Sequence, residues 1–148
     1  MTLATRSLSE ADRTVLRAVM DRVVPPVEEL PGAGTMGLAA EVEAMAGRHS
    51  SFHRALIGLL DSLAAGFTTL PGPAQDDAIG VFESAQPAMF DALLEVVYLA
   101  YYGDPRVHRR IGWRTGPLQP RGFDLPPFDE AILDRTRQRQ PFWRPVDS

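Results

Sequence analysis

Residues 88–105 read AMFDALLEVVYLAYYGDP. In a helical projection Met89, Phe90, Leu93, Leu94, Val96, Val97, Tyr98, Leu99, Tyr101 and Tyr102 fall on almost every side, and only Asp91 and Glu95 interrupt them. A helix that is apolar all round is a buried helix. The run is shorter than the roughly 20 apolar residues a membrane span requires. The pattern therefore predicts the central helix of an all-helical core over residues 89–102, with no direct membrane span. Gly103 is placed to end it in the left-handed conformation, and Pro105 to prevent its continuation.

Upstream, four shorter helical patterns are available to pack around this segment. Ser9 with Asp12 three residues later forms a capping box ahead of Val15, Leu16, Val19, Met20, Val23 and Val24, and Pro25 with Pro26 ends that helix. A second helix is expected over 35–46 with Leu38, Val42 and Met45 inward, closed by Gly47. A third, capped by Ser51, carries Phe52, Leu56, Leu59, Leu60 and Leu63; a fourth starts near Pro73 and buries Ile79 and Phe82. No stretch alternates apolar and polar residues for long enough to predict a strand. The expected fold class is all-α: an irregular bundle of about five helices over residues 1–105, followed by a long Pro/Gly-rich tail over 106–148 in the same domain.

Composition changes at that boundary. Residues 1–103 hold six arginines against thirteen acids, and residues 104–148 nine arginines against six acids. Residues 112–127, GWRTGPLQPRGFDLPP, contain four prolines and three glycines, which exclude a continuous helix. A final short helix over 129–138 would turn Ile132 and Leu133 inward. Phe142 and Trp143 stand where chain ends are usually polar. Two readings of the tail stay open: it wraps its own body, or it wraps another protein. The basic excess is small and diluted by Pro and Gly, so nucleic acid is not an expected partner.

The chain has no cysteine and no lysine, hence no disulfide, thiolate site or Schiff-base chemistry. Residues 32–37, GAGTMG, match the glycine pattern of dinucleotide-binding loops, but a helix rather than a strand precedes them and no acid follows at the required distance. Glycines in a helix-to-helix turn are the better reading. His49 and His53, four apart, could share a helix face toward a metal, yet a third ligand is not evident. Arg106, Arg109 and Arg110 suit a carboxylate or phosphate, or ordinary salt bridges. Nucleophile, base and oxyanion donor are not found together. The expectation is a chain with no catalytic residues and no cofactor or metal of its own.

A resemblance covers residues 8–125. It is carried by a first helix ending in Val23, Val24 and Pro25, then Pro31, Gly32 and Ala33, then Leu99 with Tyr101, Tyr102, Gly103, Asp104 and Pro105, and last Gly112, Trp113 and the later Gly116 and Pro117. This order of elements resembles the gluconate 2-dehydrogenase subunit 3 family, the small subunits of membrane-associated sugar dehydrogenases. The resemblance implies a non-catalytic subunit that binds, stabilises or helps mature a large flavoprotein of the glucose–methanol–choline class. FAD would then sit in the partner, often with a cytochrome subunit alongside. Many members carry a twin-arginine signal; residues 1–13 show none, so the expected location is cytoplasmic, or periplasmic and membrane-associated through co-export with a partner. The partner interface implied by the resemblance and by residue type is Tyr101, Tyr102, Asp104, Arg106, Arg110, Trp113, Arg114, Pro117, Phe123, Phe142 and Trp143. The competing expectation is a free-standing helical protein that binds a small molecule or a metal.

Overall fold

The computed structural model describes residues 7–63, 65–114, 116–117, 121–124 and 127–140. Phe142 and Trp143 lie outside the described residues. The chain divides into two compact units, Met1–Thr115 and Gly116–Ser148. The fold is all-α. The first unit contains α1 (Glu10–Val23), α2 (Ala39–Ala46), α3 (Ser50–Ser62), a 3-10 turn (Phe67–Thr69), α4 (Gly72–Ala85), α5 (Pro87–Gly103) and α6 (Pro105–Arg110). The second contains a 3-10 turn (Glu130–Leu133) running into α7 (Asp134–Arg137).

Helix α1 begins where its capping box places it. The Ser9 hydroxyl accepts from the Asp12 amide at 3.1 Å, and the Asp12 carboxylate accepts from the Ser9 amide at 2.9 Å. Leu16, Val19 and Met20 are completely buried. Helix α5 packs against α2, α3, α4 and α6, most extensively against α3. Leu93, Val96 and Val97 on α5 meet Leu56 and Leu59 of α3 within one core of fully buried side chains.

Several expectations are corrected. The predicted second helix starts four residues later, at Ala39, because residues 33–38 form turns with Ala33, Met36 and Leu38 buried. Ser51 does not cap α3; His49 takes that position without a side-chain cap. Gly103 does not adopt the left-handed conformation. Instead Asp104 is extended (φ −77°, ψ 131°), the conformation that a following proline imposes. Pro105 then opens α6, so the body continues past residue 105: Val107 is 1 % exposed. In the second unit Ile132 faces out rather than in, at 67 % exposure.

The largest correction concerns α5 itself. It is not buried all round: Tyr98, Leu99 and Tyr102 are 42 %, 52 % and 55 % exposed. Within the first unit, neighbouring helices pack against the side of α5 that carries Phe90, Leu93, Val97 and Tyr101. No helix among the described residues is long and apolar enough to cross a membrane.

Candidate protein-interaction site

The segment that carries the most specific part of the family resemblance is the corner between α5 and α6. Its local chemistry is structural. The Asp104 carboxylate accepts from the Arg106 amide at 2.7 Å, capping α6, and from the Arg106 guanidinium through Nε at 2.9 Å and Nη2 at 2.7 Å. The same Nη2 donates to the Met36 carbonyl at 3.0 Å, tying the corner to the turns before α2. His108 Nε2 lies 2.5 Å from the Tyr102 carbonyl, and the Trp113 amide donates to the His108 carbonyl at 2.8 Å. Tyr101 is only 8 % exposed and belongs to the core. Tyr101 and Asp104 hold the corner together from within, and Arg106 does so while its side chain stays exposed.

The side-chain hydrogen bonds from Arg106 hold the Asp104 carboxyl below the usual carboxylate range; burial opposes them, and the Arg106 amide and the charges of Arg106 and Arg109 add to the lowering. A carboxyl depressed on folding adds stability that is complete above its unfolded value near 3.9 and is lost as pH falls through the folded value. The expected outcome is that Asp104→Asn melts earlier than wild type at pH 6, and that the gap closes as pH falls below about 4. Thermal melts of both proteins across this range check it; a gap independent of pH would show that the Asp104 charge contributes nothing.

Several other charged groups of the body are similarly engaged. Arg13 and Glu43 form a two-pronged pair at 2.9 and 3.0 Å, which raises the first pKa and lowers the second. Arg22 grips Asp76 with Nε at 2.7 Å and a second contact. Arg110, expected at a partner interface, pairs with Glu28 and, at 3.0 Å, with Glu29. His49 packs edge-on against Phe52 with ring centroids 5.4 Å apart. Among the described residues no three His, Asp or Glu side chains gather as a metal site.

The glycines of residues 32–37 serve packing against α1. A Cβ on Gly34 would fall 1.9 Å from the Arg17 carbonyl oxygen, and one on Gly32 2.3 Å from Asp21 Oδ1. That Asp21 carboxylate accepts from the Thr35 amide at 2.9 Å and hydroxyl at 2.8 Å. The motif is a loop pressed onto a helix.

Apolar and aromatic side chains also remain accessible. On the first unit Tyr102, Trp113 and Arg114 are exposed, Trp113 at 61 %. Tyr98 and Leu99 join them, and sequence reasoning missed both. Tyr98 and Tyr102 stand one helical turn apart with ring centroids 6.2 Å apart, and the Trp113 ring lies 6.5 Å from that of His108. A signal for Tyr98 was available: Asp91 and Glu95 mark the solvent side of α5, and steps of three and four from Glu95 reach Tyr98 and Leu99. Beside Leu99 a groove of about 390 Å³ runs between α2 and the α5–α6 corner, lined by Leu38, Ala44, Met45, Ala100 and Pro105 with Glu41 and Arg48 among its polar residues. On the second unit Pro117 and Phe123 are exposed, Phe123 at 74 %, together with Phe128 at 68 %. Comparison with protein-family models, with curated proteins and with solved structures finds no match for this chain.

Proposed function

We propose that this chain is a non-catalytic small subunit of a flavin-dependent sugar or alcohol oxidoreductase of the glucose–methanol–choline class, seated on that partner through its second unit. The FAD belongs to the partner. One observation carries the interaction: none of the described residues from 116 onward is buried, yet Phe123, Phe128 and Ile132 present 74 %, 68 % and 67 % of their surface. Large apolar side chains held in a proline-rich segment are suited to covering another protein, since the prolines reduce the entropy lost on docking. Trp113 and Arg114, exposed immediately before this unit in the chain, are residue types enriched at interface hot spots. The identity of the partner comes from the order of motif elements between residues 8 and 125, above all Tyr101, Tyr102, Gly103, Asp104 and Pro105 followed by Gly112 and Trp113.

The test is co-expression of the full chain with a glucose–methanol–choline flavoprotein encoded in the same genome. The wild-type chain is expected to co-purify with a flavin-loaded large subunit, and alone to bind no flavin. The triple variant Phe123→Ala, Phe128→Ala and Ile132→Ala is expected to keep the melting temperature of the isolated chain and to lose co-purification. A wild-type chain that binds no such flavoprotein, or that carries stoichiometric flavin by itself, sinks the proposal. A triple variant that binds with undiminished affinity moves the docking segment elsewhere.

A further inference from the structure

We propose that the Arg114–Thr115 peptide bond is a processing site for an arginine-specific endoprotease, which detaches residues 115–148 and leaves the helical body folded. The cut depends on the first unit alone; its consequence for docking rests on the flavoprotein reading.

The core ends well before this bond. Among the described residues every buried apolar side chain lies between Leu8 and Val107. Helix α6 closes the body: Val107 is seated in the core, Arg106 donates to the Met36 carbonyl at 3.0 Å, and Arg110 pairs with Glu28 and Glu29. A chain cut beyond α6 loses none of these contacts.

Past α6 the backbone becomes accessible. Ile111 and Trp113 are 54 % and 61 % exposed, and Gly112, Arg114, Gly116 and Pro117 are exposed with them. The Trp113 amide donates to the His108 carbonyl at 2.8 Å; among the described residues it is the last backbone-to-backbone donor before Ile132. Endoproteases bind several residues in extended form through the substrate's own amides and carbonyls. They therefore cut exposed segments whose backbone is not engaged elsewhere. Arg114 makes no ion pair among the described residues, so its guanidinium is free to enter an acidic specificity pocket. The residue that follows is a threonine, not a proline whose ring would obstruct the cut.

The rest of the body offers no comparable bond. The chain has no lysine, and residues 55–105 hold no arginine. The described arginines before Arg114 lie in α1, α3 and α6, apart from Arg48. Arg48 sits in a short turn where its own amide and that of His49 donate to the Met45 carbonyl at 3.0 and 3.2 Å. Cutting at any of these positions requires local unfolding first. Arginines after Arg114 belong to the second unit, and cuts there shorten that unit without reaching the body.

The step is a hydrolysis. Water adds across the bond, Arg114 gains a carboxylate, and the Thr115 nitrogen leaves as a new amino terminus. Phe123, Phe128 and Ile132 are thereby separated from the helical body, which ends docking through the second unit.

Limited digestion of the full chain with trypsin, read by mass spectrometry and then by circular dichroism, tests this. The stable product is expected to end at Arg114 and to form at least roughly tenfold faster than any product cut inside a helix. It is expected to keep a helical, cooperative melt. In Arg114→Gln the stable product is expected to end at Arg121 instead. A wild-type product ending at Arg110 or earlier overturns the proposal, as does a chain left uncut after Arg114 or a product without a cooperative melt. The purified body ending at Arg114 is then mixed with the flavoprotein of the co-expression test, and is expected not to bind. Retained binding overturns docking through the second unit, while a clean cut at Arg114 still upholds the processing site.

Discussion

Gly34→Ala is expected to destabilise the protein by on the order of 3 kcal/mol, a loss of roughly 10 °C in melting temperature. The added methyl would be 1.9 Å from the Arg17 carbonyl oxygen, 2.7 Å from its carbon and 3.0 Å from its Cα. Those atoms are backbone in the middle of α1, so no rotamer change relieves the overlap. The loop cannot retreat cheaply either. The neighbouring Ala33 is fully buried, and its amide donates to the Val24 carbonyl at 3.0 Å. Moving it away would open the core and break the two bonds from Thr35 to Asp21. Gly37→Ala separates this overlap from the general cost of a glycine substitution. Gly37 has φ +82° with open space around its missing Cβ, so its replacement costs only the left-handed backbone penalty of about 1 kcal/mol. Denaturant midpoints for both variants decide the matter. Equal losses at the two positions would show that the loop does not press on α1.

Leu93→Ala is expected to cost about 3 kcal/mol, and Leu99→Ala less than about 0.5 kcal/mol. Both leucines lie in the same apolar run of α5, six residues apart. Leu93 is completely buried, so its truncation leaves a cavity as well as losing transfer energy. Leu99 is 52 % exposed, and its removal leaves no cavity in the monomer. A large loss for Leu99→Ala would mean that the exposed face of α5 is covered.

The reading of α5 shows where pattern reasoning holds and where it stops. Its existence and extent were legible to within two residues, because apolar content and the flanking prolines act locally. Its burial was not. An apolar circumference records a preference for apolar surroundings, whereas the number of neighbouring helices depends on how short helices and tight turns fill space. The two acids, Asp91 and Glu95, were the local trace of the open side. The corner after α5 was misread for a related reason. Gly103 looks like a left-handed helix end, but the constraint that acts is Pro105 on Asp104, and the Asp104–Arg106 bonds then begin a new helix.

By itself the sequence determined the class of the fold, the cap of α1, the helix breaks at Pro25 and Pro26 and the apolar stripes of α1, α3 and α4. These rest on contacts within a few residues, where spacing and side-chain chemistry are sufficient. Only the tertiary structure decided why residues 32–37 hold glycines, that Tyr101 is seated in the core and Arg106 is tied to the turns before α2, and that Tyr98, Leu99 and Tyr102 stand exposed. The reason is that each of these depends on a partner distant in the chain. Arg17 stands over Gly34 and Asp21 beside Gly32; the Met36 carbonyl receives Arg106; and the core seats Tyr101 but leaves Tyr102 in solvent, although the two tyrosines are adjacent in sequence.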